Sequence, residues 1–177
     1  MVPGARPLRE RALCPSKNEL GIMIKVALFP GSFDPFTKGH ENIISRALPL
    51  FDEIVIAIGI NSKKGSFFSL EKRLAMIRYL YRDEPRIRVE SFEGLTVDFC
   101  RRVGAGHILR GLRTASDFEY ERAIAQTNRK MQPGIETVFL LTTPELTPIN
   151  STIVREILRH GGDYSLFLPE GINPDDF

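Results

Sequence analysis

The sequence predicts a doubly wound α/β domain built on a five-stranded, mainly parallel sheet. Three observations predict it. From Met23 onward, short apolar runs alternate with amphipathic segments. The alternation repeats five times, the pattern of successive strand–helix units. The runs read as buried strands of a parallel sheet, covered on both faces.

The apolar runs are residues 24–29, 53–60, 86–92, 107–109 and 136–141, short and rich in Val, Ile, Leu and Phe. Between them lie segments with the 3.6-residue period of helices. Residues 41–51 put Ile43, Ile44, Ala47, Leu48 and Phe51 on one helical face. Residues 70–81 follow Ser69, a good N-cap, and align Leu70, Leu74, Ile77 and Tyr81. A helix over 96–103 ends at Gly104, and one over 118–131 ends before Pro133 and Gly134. The last, 152–160, follows Asn150 and Ser151 and stops at Gly161 and Gly162. Residues 1–22 carry Pro, Gly and charge without periodicity, so the domain is expected over 23–177, with 1–22 a disordered extension.

Composition narrows the class. With 177 residues, 42% of them hydrophobic and 26% charged, the chain suits one globular domain that needs neither disulfides nor structural metal. A formal net charge of +2 argues against a general nucleic-acid or membrane-surface binder. No run approaches the ~20 apolar residues of a membrane span, and residues 1–22 lack the apolar core of a secretory signal. A cytoplasmic location is expected. Cys14 and Cys100 form no CxxC pair and read as buried or idle thiols. No metal-ligand spacing and no nucleophile elbow occur.

In open α/β sheets, ligands sit beyond the carboxyl ends of the strands, so the loops after strands should hold the chemistry. The first runs Pro30-Gly31-Ser32-Phe33-Asp34-Pro35-Phe36-Thr37-Lys38-Gly39-His40. It is longer than the usual strand-to-helix connection and opens a helix, whose N-terminus attracts phosphate. It is neither a Walker A loop nor a GxGxxG fingerprint. The second, Arg110-Gly111-Leu112-Arg113, sets two guanidinium forks about a Gly-Leu turn, followed by Asp117, Phe118, Glu119, Tyr120 and Glu121. The third, Asn150-Ser151-Thr152-Ile153-Val154-Arg155, puts hydroxyls and a basic residue at a helix start. The fourth, Ser62-Lys63-Lys64, offers mobile point charges at the sheet edge.

The first loop, with Thr37-Lys38-Gly39-His40, resembles the signature of the nucleotidylyltransferase superfamily. Class I aminoacyl-tRNA synthetases carry a related element, so that loop alone does not fix a substrate. The Arg110–Arg113 stretch with its acidic-aromatic continuation resembles the bacterial phosphopantetheine adenylyltransferases, and the resemblance covers about residues 23–170. It implies a Rossmann-like nucleotidylyltransferase fold and transfer of AMP from ATP to 4′-phosphopantetheine by direct in-line attack, with no covalent intermediate. A phosphate monoester, whose second pKa is near ~6, is already a competent nucleophile at pH 7.

The resemblance also implies roles. His40 stabilises the α-phosphoryl group in the transition state. Ser32 orients the attacking phosphate, which Arg110 and a lysine bind, Lys63 the better match and Lys64 the alternative. Thr96 meets the pantetheine arm. Phe33, Gly111, Leu112, Arg113, Glu121, Leu146, Thr147, Pro148, Ile149, Asn150, Ser151 and Thr152 make the ATP site together with Ser32 and His40. Relatives usually have a serine where this chain has Asn150. Mg²⁺ is expected to arrive on the ATP phosphates, with no protein cage of its own, and the assembly to be a homohexamer. Two rival readings are a transferase acting on another acceptor, such as nicotinamide mononucleotide, and a nucleotide-binding regulator that has lost catalysis.

Overall fold

The computed structural model describes residues 23–60 and 65–177. The expectations for the 1–22 extension and for Cys14, Lys63 and Lys64 lie outside the described residues. Five strands form one sheet in the order β3-β2-β1-β4-β5: β1 (Val26–Gly31), β2 (Glu53–Gly59), β3 (Ile87–Phe92), β4 (His107–Leu112) and β5 (Glu136–Leu141). Every pairing is parallel. The connecting helices are α1 (Lys38–Ala47), α2 (Leu70–Leu80), α3 (Thr96–Val103) and α4 (Ala115–Met131), and α5 (Ser151–Arg159) follows β5.

Alternation along each strand divides the core into two layers. Ala27, Phe29, Ile54, Ile56 and Ile58 pack with Ile43, Ile44 and Ala47 of α1 and Ile77 of α2. Val26, Leu28, Val55 and Ala57 pack on the opposite face with Val97, Phe99 and Cys100 of α3. Burying each large side chain contributes about 1.5–3 kcal/mol, so the sheet is the stable frame on which the loops are mounted. Burial also pushes the Cys100 thiol up to about 12, leaving it a core side chain. Among the described residues, no helix is long and apolar enough to cross a membrane.

The chain winds outward from β1 through β2 to β3, then returns to β4 and β5 on the other side. The switch point therefore lies between β1 and β4. Six residues of β1 pair with β2, but only Ala27 and Leu28 pair with β4, at His107 and Ile108. Beyond those two pairs β1 and β4 separate, and the separation opens a crevice at their carboxyl ends. Pro30, which has no N–H to donate, sits where β1 has lost that neighbour, so its missing donor breaks no ladder.

Several boundaries differ from the sequence expectation, those of β4, α1 and α4 with consequences for the site. β4 continues through Arg110, Gly111 and Leu112, which pair with Phe139, Leu140 and Leu141 of β5. These residues are strand and not the Gly-Leu turn expected, because β5 offers a partner that periodicity in one segment cannot reveal. α1 begins at Lys38, so His40 lies inside its first turn, and it ends at Ala47. α4 begins at Ala115, where Thr114 caps it by accepting from Asp117 N.

Candidate active site

A cleft of about 450 Å³ occupies the crevice. Its walls come from the loop after β1, the end of β4 with the start of α4, and the start of α5. Ser32, Phe33, His40, Arg110, Gly111, Arg113, Glu121, Ile149, Asn150, Ser151 and Thr152 all line it. Residues separated by up to 120 positions in sequence thus meet because all stand at the carboxyl edge of one sheet. A second cleft, about 500 Å³, adjoins the first: both are lined by Pro30, Gly31, Ser32, Arg110 and Glu121. Thr96 lines the second, with Gly59, Phe92, Tyr120, Ile124 and Asn128. Leu112 is buried below the floor, and Leu146, Thr147 and Pro148 are not part of either wall.

His40 is the third residue of α1, and its Nδ1 faces back toward the N-cap. It accepts from the backbone N–H of Thr37 at 3.0 Å and lies 3.0 Å from Thr37 Oγ1. With Nδ1 accepting, the neutral ring carries its proton on Nε2 and is a donor there. Phe33, Phe36 and Phe29 surround the ring, at centroid distances of 5.1, 5.3 and 6.3 Å. This burial, reinforced by the positive charges of Arg113 and Arg110, lowers the imidazole pKa to about 3. His40 is thus a neutral hydrogen-bond donor fixed in direction and unsuited to act as a proton source.

The cage has a backbone cost. Phe33 is buried with φ at 46°, a left-handed conformation that a bulky residue rarely adopts. The preceding Gly31 makes it feasible. A Cβ there would lie 2.8 Å from two atoms of the Phe33 ring.

Arg110 stands between the two clefts. Its Nε donates to Glu121 Oε2 at 2.8 Å, its Nη2 pairs with Glu121 Oε1, and its Nη1 donates to the Pro30 carbonyl at 2.6 Å. The last contact serves a carbonyl at the point where β1 and β4 part. A guanidinium has five donors, so two N–H groups remain for a ligand. Arg113 is placed differently. It lines only the first cleft, and Asp117 Oδ2 takes both its Nε (3.3 Å) and its main-chain N–H (3.1 Å). Gly111 faces Ile43 so closely that a Cβ would lie 3.0 Å from Ile43 Cγ1.

At the far wall the N-terminal end of α5 abuts the first cleft. Asn150 is the N-cap and its Oδ1 accepts from Ile153 N at 3.0 Å. The amide oxygen thus supplies the cap, a role for which Asn ranks with Ser and Asp. Ser151 Oγ donates to the Pro35 carbonyl at 2.9 Å, tying α5 to the first loop. Arg155, one turn later, donates from Nη1 to the Asp34 carbonyl at 2.6 Å and from Nη2 to Thr152 Oγ1 at 3.1 Å.

Arg155, Asp117 and Thr37 line the first cleft too, each lying inside a motif segment quoted above but given no individual role there. Each stood beside a motif residue in sequence. Helical spacing carried a signal for Arg155, which lies three residues after Thr152 and so on the same side of α5.

Chemically, the first cleft is a set of cationic and N–H donors around an open volume, suited to a polyanion. Among the described residues, no cluster of three or more His, Cys, Asp or Glu could hold a metal ion. The second cleft mixes apolar and neutral polar groups, suited to an elongated ligand of intermediate polarity. Arg110 and Ser32 stand where the two meet.

Comparison with known proteins agrees with this arrangement. Residues 28–157 match the family described as cytidylyltransferase-like. A putative nicotinate-nucleotide adenylyltransferase from Vibrio parahaemolyticus shares the fold, with a TM-score of 0.61 at 19% identity over 82% of this chain and 94% of that one. The chain is 54% identical over 149 residues to the phosphopantetheine adenylyltransferase of Flavobacterium psychrophilum, covering 84% of this chain and 98% of that protein. It is 56% identical over 146 residues to that of Bacteroides fragilis, covering 82% and 97%. Identity above one half along nearly the whole of each relative makes this chain a member of the phosphopantetheine adenylyltransferase family.

Proposed function

We propose that the protein transfers the adenylyl group of ATP to 4′-phosphopantetheine, giving dephospho-coenzyme A and pyrophosphate. The observation that carries the reading is the pair of adjoining clefts: one suits a polyphosphate, the other an extended arm, and Arg110 and Ser32 are shared. A terminal phosphate at the junction, with its arm in the second cleft, faces an α-phosphate in the first.

An oxygen of the acceptor phosphate attacks the α-phosphorus. The bond from that phosphorus to the bridging oxygen breaks, and pyrophosphate leaves with the electron pair. No proton need move, in keeping with a site whose histidine is held neutral. Catalysis then consists of alignment and charge stabilisation. The Nε2–H of His40 donates to the α-phosphoryl oxygens as charge builds on them. Arg110, with its two remaining N–H groups, and Ser32 hold the acceptor phosphate. Arg113, Arg155 and the N-terminus of α5 at Ser151 and Thr152 take the β- and γ-phosphates. Thr96 contacts the pantetheine arm. The carboxylates facing the first cleft, Asp117 and Glu121, are already engaged by Arg113 and Arg110. With both engaged, Mg²⁺ would arrive on the ATP phosphates and would supply charge neutralisation there.

The reading includes a cytoplasmic enzyme, where ATP is abundant, and a homohexamer. Of the 17 residues of α4, Glu121 is the buried one, while Phe118, Tyr120, Ile124 and Met131 are exposed, apolar surface that an assembly can cover. A coupled assay for pyrophosphate release with ATP and a panel of acceptors tests the reaction. Turnover with phosphopantetheine is expected. Turnover with nicotinamide mononucleotide instead, or with no acceptor, overturns it.

A further inference from the structure

Two buried charged groups hold the loop between β1 and α1 from behind, and the proposed transfer uses neither. Asp34 is 6% exposed, and its carboxylate accepts from the backbone N–H of Phe67 at 2.7 Å and of Phe68 at 2.9 Å. Arg73, on α2 and 7% exposed, donates from Nη1 to the Ser32 carbonyl at 2.7 Å and from Nε to the Ser69 carbonyl at 3.3 Å. The stitching runs both ways. The loop's carboxylate reaches the N–H groups just ahead of α2, and the guanidinium of α2 reaches back to the loop. Arg155 of α5 meanwhile holds the Asp34 carbonyl, so residues 32–34 are pinned from two helices.

Packing α2 against the sheet does not call for buried charges; apolar side chains do that at lower desolvation cost. What the charges add is direction. Each fixes a main-chain segment through short, charge-assisted hydrogen bonds. The atom fixed by Arg73 belongs to Ser32, which stands where both clefts meet.

We infer that Asp34 and Arg73 are positioning residues forming a single clasp, which sets the Ser32 backbone so that the attacking phosphate and the α-phosphorus stand in line. The inference rests on the adenylyl transfer proposed above. The clasp touches no reacting atom. It acts through Ser32, and its side chains bond none of the residues assigned to the nucleotide phosphates. Its loss therefore falls on turnover more than on ATP binding, since misplacing reacting groups by about 1 Å costs on the order of 10²-fold in rate.

The test uses the full chain as wild type, Asp34→Asn, Arg73→Lys and the double variant. Asparagine keeps the shape of Asp34 but can accept only through one oxygen, and lysine keeps the charge of Arg73 without its fork. Pyrophosphate release gives kcat, and calorimetry with ATP gives the dissociation constant. Each single variant is expected to lose about 10–100-fold in kcat while ATP affinity stays within about threefold of wild type. The double variant is expected to be no slower than the slower single, because both groups act on one loop. If Asp34→Asn fails to fold, Arg73→Lys carries the test by the same split between kcat and ATP affinity. Losses of ATP affinity parallel to those in kcat, additive losses in the double variant, or an unchanged kcat in Arg73→Lys overturn the clasp alone. A wild type that releases no pyrophosphate overturns the transfer reading and the clasp with it.

Discussion

Residue by residue, the site divides its labour through what each charge is already bonded to. His40 is the clearest case, since two bonds with Thr37 orient the ring and an aromatic cage lowers its pKa to about 3. His40→Ala is expected to lower kcat by about 10²–10³ with KM for ATP little changed, as for removal of one preorganised donor. The same pKa has a stability consequence. The unfolded chain protonates this histidine near pH 6.5 and the folded one only near 3, so between those values the unfolded state binds more protons. Stability rises with pH through that window and is lost as pH falls from about 6.5 toward 3. In urea unfolding across that range, His40→Gln should show a shallower dependence than wild type; equal slopes would mean the ring is not held neutral. Arg110 and Arg113 are expected to separate by ligand. Arg110→Ala should raise KM for phosphopantetheine and Arg113→Ala should weaken ATP, each by roughly 2–5 kcal/mol in calorimetry. Equal losses of both ligands in both variants would refute the division.

Among the elements, the N-terminus of α5 carries the most function for its length. Asn150 caps it, Ser151 ties it to Pro35 and Arg155 ties it to Asp34. Asn150→Ala is expected to cost about 0.5–2 kcal/mol of stability, as for other lost N-caps, and to weaken ATP binding in parallel. Asn150→Ser should recover both, and failure of serine to do so would show that the amide has a role beyond capping. The element least legible in sequence was β4. Its apolar run ends at Leu109, yet the strand extends to Leu112, because the backbone of Arg110 and Gly111 finds hydrogen bonds on β5. The side chains there serve the cleft and so break the apolar pattern by which a buried strand is recognised. The helices with clear end signals, α2 after its cap Ser69 and α3 before Gly104, were legible almost to the residue.

At the scale of the whole molecule, the single sheet brings three separate motif segments to one edge, and the exposed face of α4 leaves apolar surface to cover. Light scattering on the full chain is expected to give the mass of six copies, and a monomer at micromolar concentration would refute the assembly. By itself, the sequence determined the class of fold, the order of the elements and the motif loops, because hydrophobic period, caps and glycines act locally and are written in consecutive residues. It also supplied the family, through the loop ending at His40 and the Arg110–Arg113 stretch. Only the tertiary structure decided which charges stay open to ligand. Arg110 meets Glu121 and Pro30 across 11 and 80 residues, and Arg73 reaches Ser32 across 41. Such partners are chosen by where strands part and helices cross. That is a property of the packed sheet, and no local stretch of chain encodes it.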